Sequence, residues 1–151
     1  MKSYLVISLL LASLLQGANI PTLELQRVEL ITGEIPAALR VSLKLVNDTD
    51  RPYYFLGHGP TGLFAGLELK KNRAWIPQPG GVCGVGIGQQ VIRPKSSIVF
   101  LAFVGPDEIS AEPVRFRFTC YEDAAHQKEI AVCSKEFVPS KSAKPVKKPG
   151  R

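Results

Sequence analysis

The most regular pattern along this chain has a period of two. Leu39, Val41, Leu43 and Leu45 alternate with Arg40, Ser42 and Lys44. Successive side chains of an extended strand point to opposite faces, so this segment sets four aliphatics on one face and polar groups on the other. Val114, Phe116, Phe118 and Cys120 alternate in the same way with Arg115, Arg117, Thr119 and Tyr121. Upstream, Leu23 and Leu25 share one parity while Val28 and Leu30 share the other. A β-bulge near Gln26-Arg27 would return all four to a common face. Glu129 to Val138 predicts the last strand, and its parity flips between Ile130/Val132 and Phe137, which places a bulge or kink near Cys133 to Lys135. Ser97 to Val104 is almost continuously apolar, as expected of a strand at a sheet centre or covered on both faces.

Turn chemistry punctuates these runs. Asn47-Asp48-Thr49-Asp50-Arg51-Pro52 reads as a turn before the aromatic strand Tyr53-Tyr54-Phe55-Leu56. Leu67 and Leu69 on one side and Trp75 and Ile76 on the other flank Lys70-Lys71-Asn72-Arg73, the signature of a hairpin. About seven or eight short strands result, with no long amphipathic helix outside the N-terminal leader, and regularly spaced short strands predict an antiparallel β-sandwich. The expected type is immunoglobulin-like. The best second-strand candidate, Leu39 to Asn47, has no cysteine, so the inter-sheet disulfide of antibody domains is excluded.

The two ends differ in character from the middle. Met1-Lys2-Ser3 is followed by an apolar run from Tyr4 to Leu15 broken only by Ser8 and Ser13. One positive charge before about 12 apolar residues predicts a secretory signal peptide over 1–18, cut after Ala18. Such a helix reaches only about 18 Å, short of a roughly 30 Å hydrocarbon core. The mature protein is therefore expected to be secreted or periplasmic, with no transmembrane segment once the signal is removed. The domain spans 19–139, enough for one core. Residues 140–151 are rich in Lys, Pro and Ser and predict a disordered basic tail.

The net charge of +6 suggests an anionic partner only until it is mapped. Lys2 in the leader and Lys141, Lys144, Lys147, Lys148 and Arg151 in the tail carry the whole excess; removing these six leaves 13 basic residues against 13 acidic ones. The domain itself is neutral by count, so specific nucleic-acid binding is not expected. The tail either attaches to an anionic cell-envelope surface or is simply solvated.

Three cysteines, Cys83, Cys120 and Cys133, allow at most one intrachain bridge in an oxidising compartment. Cys120 and Cys133 fall on consecutive predicted strands. A loop of about four residues around Ala125 to Lys128 would set them face to face, making a Cys120–Cys133 disulfide the first choice. A bridge from Cys83 to either strand cysteine is the alternative. Otherwise Cys83 is a free thiol, either buried and inert or reactive.

Two glycine-rich segments stand out. Pro77 to Gly88 packs Gly80, Gly81, Gly84, Gly86 and Gly88 around Val82, Cys83 and Val85. It does not cradle a phosphate: no Lys-Ser/Thr follows, and a dinucleotide fingerprint starting at Gly84 and Gly86 would need a glycine where Gln89 stands. So many glycines imply close chain approach or positive φ, in a loop packed on the sandwich or exposed for a partner. The second segment is Gly57-His58-Gly59-Pro60-Thr61-Gly62. Its Pro60-Thr61-Gly62 resembles the Asn-Pro-Thr-Thr-Gly loop of chagasin-type inhibitors of cysteine proteases, an immunoglobulin-like family. The resemblance covers these three residues. The family's Asn and second Thr are absent, and Arg93-Pro94 is followed by Lys95 where the family has Trp. It implies an inhibitor acting through loops at one end of the sandwich.

Catalytic chemistry is not evident. His58 and His126 lack a second ligand at metal spacing, and there is no nucleophile-elbow motif. A dyad of Cys83 with a histidine is the one nucleophile candidate, and it requires a meeting in space. No metal or other cofactor is expected. The sequence thus reads as an exported, non-enzymatic module that binds a partner or is structural. The candidate binding residues are Gly57, His58, Pro60, Thr61 and Gly62 in one loop, and Gly81, Val82, Gly84, Val85 and Gly86 in the other.

Overall fold

The structure is a computed structural model that describes residues 20–31, 38–79 and 86–142 and the backbone of 144–145. It is almost entirely β, in two sheets that face one another. The first holds β1 (Thr22–Ile31), β2 (Ala38–Asn47), β7 (Ser96–Val104) and the two-residue β10 (Lys144–Pro145), in the order β10-β1-β2-β7. The second holds β3 (Tyr53–Gly57), β4 (Ala65–Lys71), β5 (Ala74–Pro77), β6 (Gly88–Ile92), β8 (Val114–Tyr121) and β9 (Glu129–Cys133). All pairings are antiparallel except β1 with β10. This is a β-sandwich.

The alternating pattern becomes the core directly. Leu39, Val41, Leu43 and Leu45 of β2 are completely buried, as are Val114 and Cys120 of β8, with Phe116 and Phe118 nearly so. Phe118 links the layers: its ring lies 5.7 Å from Phe55 in its own sheet and 6.2 Å from Phe100 on β7. Each such side chain contributes about 1.5–3 kcal/mol by leaving water. The β1 bulge occurs where parity required it, with the β1–β2 register shifting between Leu25 and Arg27. Leu23 and Val28 are both buried as a result. The kink after β9 is also present. Phe116 exchanges hydrogen bonds with Ser134, donating its N–H to the Ser134 hydroxyl at 2.9 Å while its carbonyl accepts the Ser134 N–H at 2.8 Å. Phe137 then pairs with Val114, which leaves one extra residue on the outer strand. The hairpin over 70–73 forms with Asn72 and Arg73 both at positive φ (49° and 69°), the geometry of a tight two-residue turn.

Three expectations are corrected. The apolar run Ser97 to Val104 is not a covered or central strand. It forms β7, which ends its sheet, and Val99, Leu101 and Phe103 are 55%, 52% and 58% exposed. Only Ile98, Phe100, Ala102 and Val104 face the core. Second, the Cys120–Cys133 disulfide is not formed, and both thiols are free. Cys120 lies opposite Ile130, and Cys133 lies opposite Arg117. This register puts Cys120 on the inner face and Cys133 on the outer one. The cause is Asp123, whose carboxylate accepts the N–H groups of Gln127 (3.2 Å) and Lys128 (2.9 Å) and whose carbonyl accepts that of His126. The resulting loop, with His126 at φ 58°, shifts the register by three. Third, the tail expected to be disordered carries structure at its start. Pro139–Ser142 makes one helical turn, and Lys144 and Pro145 pair with Glu29 and Leu30 on the edge of β1. Edge strands offer unpaired backbone groups, which gives this segment a template despite its composition.

Candidate functional site

The second sheet forks, and a cleft opens at the fork. β9 runs along one side of β8. On the other side β4 pairs over Val114 to Phe118, but β3 touches β8 only at Tyr54–Tyr121. Between these contacts the chain leaves β8 as residues 55–64. β3 turns away to pair along its full length with β6, and an isolated bridge from Gly57 to Leu63 closes the excursion. The loop inside it is tight: His58 donates its N–H to the Gly62 carbonyl at 2.9 Å. A Cβ at Gly62 would overlap the His58 carbonyl, so only glycine fits there.

A cleft of about 520 Å³ opens where the two branches diverge. Leu56, Phe64, Ile87 and Tyr121 form its apolar walls, and Glu68 and Arg117 its polar end. Pro77 and Gln78 lie at its rim, so both flanks of the glycine-rich Pro77–Gly88 segment line the same cleft. The two glycine-rich segments also meet. Gly86 has φ +80°, and a Cβ built on it would stand 3.3 Å from His58 Nδ1. The His58 ring packs edge-on against Phe64 with centroids 4.9 Å apart. Pro60 and Thr61 face the other way, onto a groove of about 480 Å³ between β6 and β7. Gly81, Val82, Cys83, Gly84 and Val85 lie outside the described residues.

The polar end has its own physical logic. Glu68 stands at an outward position of β4, yet it is only 3% exposed. It is covered by neighbours from β8: Arg115 Nε donates to Glu68 Oε2 at 2.6 Å, and Arg117 approaches Oε1 at 3.7 Å. The Arg115 guanidinium carbon also lies 4.2 Å from the centre of the Trp75 ring, a cation–π contact that helps hold it beside the carboxylate. Arg117, half-exposed, reaches Glu129 at 3.9 Å on its other side. The outward face of β8, with Arg115, Arg117 and Tyr121, is thus interleaved with carboxylates from β4 and β9. Sequence reasoning missed Glu68. Its outward parity among Leu67, Leu69 and the arginines of β8 was the available signal, but the pairing of β4 with β8 was needed to use it.

The opposite loop end is ionic. Glu122 accepts from Lys128 and pairs with Arg51 at 3.0 Å, and Arg51 also donates to the Tyr53 hydroxyl at 3.0 Å. Lys128 first, and then Arg51, hold the Glu122 carboxyl below its ordinary value. The N–H of Gln127, with that of Lys128, does the same for Asp123. Cys120 sits at the inner end of β8, and burial pushes its thiol up to about 11. A thiol held protonated in this way is a poor nucleophile. The ring of His126 lies 4.5 Å from that of Tyr121. Among the described residues no three His, Cys, Asp or Glu side chains gather as a metal site, and no helix is long and apolar enough to cross a membrane.

Compared with known proteins, the chain matches no family model and no curated protein.

Proposed function

We propose that the protein is an exported, non-enzymatic binding module that takes a protein segment in the cleft at the fork of its second sheet. The observation that carries this reading is a cleft with apolar walls and a charged end, walled by Leu56 and Phe64 on either side of the 57–62 loop and by Pro77, Gln78 and Ile87 from the ends of the second glycine-rich segment. Leu56, 43% exposed, offers an apolar contact, and the half-exposed Arg117 offers donors to an acidic or carbonyl group. Largely apolar concavities with a few placed polar groups are the usual form of a binding site.

The immunoglobulin-like type is part of the same proposal. It is supported by β1-β2-β7 in one sheet and β9-β8-β3-β6 in the other, a pairing pattern matching strands A, B and E against G, F, C and C′. On this reading β4 and β5 are a hairpin inserted after the third strand. Export rests on the leader pattern of 1–18. N-terminal sequencing of the mature protein is expected to begin at Asn19.

Site-specific photo-crosslinking tests the binding reading. A crosslinker at position 56 is expected to capture a defined partner that the same group at Glu24, on the other sheet, does not. Equal capture at both positions, or none, removes the proposal. The contact between His58 and Gly86 supports a second reading, a protease inhibitor using both loops. Assays against a panel of cysteine and serine proteases showing no inhibition dispose of it.

A further inference from the structure

The exposed apolar row on β7 lies on the other sheet and is independent of the cleft. β7 ends its sheet, and among the described residues no strand pairs with its outer edge. Its nine residues include no charge, no proline and no glycine. Its register with β2 runs unbroken from Leu39–Val104 to Asn47–Ser96, so no bulge bends the edge away. Edge strands are normally guarded by lysine, proline, bulges or a covering element, because their free backbone groups otherwise pair with another chain. β7 itself has no lysine, proline or bulge, and among the described residues only Pro60, Thr61 and β6 stand beside it, across the groove at its Ser96–Val99 half. It adds Val99, Leu101 and Phe103, all more than half exposed.

We propose that β7 pairs antiparallel with β7 of a second copy of this chain, joining the two four-stranded sheets into one across a two-fold axis. The strand is complementary to itself. A register centred on Leu101 sets Leu101 against its copy and Val99 against Phe103 on the outward face, with Phe100 against Ala102 inward. With the two-fold repeat these make five apolar cross-strand pairs, and no like charges meet. The surrounding charges favour a neutral partner over an anionic surface. Arg40, beside Phe103, is already bound to Glu29 at 3.1 Å, and Lys44, beside Val99, lies next to Glu24 on β1. In the dimer the β2 strands would be three strand spacings apart, about 14 Å. That exceeds the Debye length of about 8 Å at physiological salt, so Arg40 and Lys44 do not repel their copies.

Sedimentation velocity of the mature chain across micromolar to submillimolar concentrations tests this. The expected result is a reversible dimer. Leu101→Lys, which sets two ammonium groups directly opposite at the axis, is expected to weaken it roughly tenfold or more. Because residue 101 points outward, the variant should keep the far-UV circular dichroism and melting midpoint of a folded domain. Val99→Lys provides a second disruption should Leu101→Lys misfold. A monomer at every concentration overturns the proposal, whether or not that monomer binds lipid vesicles or peptides. So does a dimer that survives both folded lysine variants.

Discussion

Arg115 donates from Nε to the nearly buried Glu68 carboxylate at 2.6 Å, with its guanidinium carbon 4.2 Å from the centre of the Trp75 ring. This pair sits beside the cleft, so its first measurable role is stability. Replacing Glu68 by Ala leaves Arg115 without its carboxylate and Arg117 with Glu129 alone. Breaking a buried pair from one side costs about 3–5 kcal/mol. Arg115 is a quarter exposed, so partial solvation lowers the expected loss to about 2–3 kcal/mol. Glu68→Gln keeps an acceptor and is expected to lose less. Urea denaturation monitored by the single tryptophan, which touches Arg115, checks both.

The β4–β5 turn carries avoidable strain. Arg73 has φ 69°, and left-handed backbone costs a residue with a Cβ about 1–2 kcal/mol. Arg73→Gly produces Asn-Gly, the preferred sequence for this turn. Glycine's greater freedom in the unfolded chain offsets part of the gain. The expected net is a stabilisation of about 0.5–1 kcal/mol in the same urea experiment. No change or a loss would show that the Arg73 side chain contributes more than its backbone costs.

Strands with clean alternation were legible because one face of each meets a core. β2 and β8 follow their parity, and the bulge in β1 occurs where parity demanded it. β7 was misread because a run of Ser-Ile-Val-Phe-Leu-Ala-Phe-Val looks the same whether its second face is covered or bare. Hydrophobicity reports what a residue tolerates, not which neighbours the topology supplies. The cysteine register failed for a local reason: Asp123 accepts two backbone N–H groups and tightens the loop, and a count of loop residues does not contain that bond. The cleft was only half legible. The glycine segments at 57–62 and 77–88 were visible, but Leu56, Phe64 and Glu68 join them only through the fork in the sheet.

The two described thiols should differ in chemistry. Cys120 is fully buried with its thiol pushed up to about 11, while Cys133 is partly exposed on the outer face. Since the thiolate is the reactive form, iodoacetamide at neutral pH is expected to modify Cys133 and spare Cys120 until the protein unfolds. Peptide mapping after native and denaturing labelling separates the positions. A native Cys120–Cys133 disulfide in the same map would require the β8–β9 register to be wrong.

Acid should loosen the loop that sets this register. Glu122 and Asp123 both have folded-state values below the ordinary carboxylate range. The cause is chiefly the Lys128 hydrogen bond for Glu122 and the Gln127 N–H for Asp123. A carboxyl depressed by folding stabilises the folded state above its unfolded value, and the contribution is lost as pH falls through the folded one. Unfolded carboxylates titrate near pH 4, so the loss should begin below about pH 5 and continue through pH 3. Arg51, raised mainly by its hydrogen bond to Tyr53, stays charged throughout this window. Asp123→Asn cannot titrate, and it keeps a single acceptor oxygen where the carboxylate uses Oδ1 for Gln127 and Oδ2 for Lys128. The variant should therefore melt lower than wild type at neutral pH, and the gap should narrow as the wild-type carboxyl protonates. Melting midpoints measured across that range decide the matter. Parallel wild-type and Asp123→Asn curves would mean that the carboxylate charge does not hold the turn.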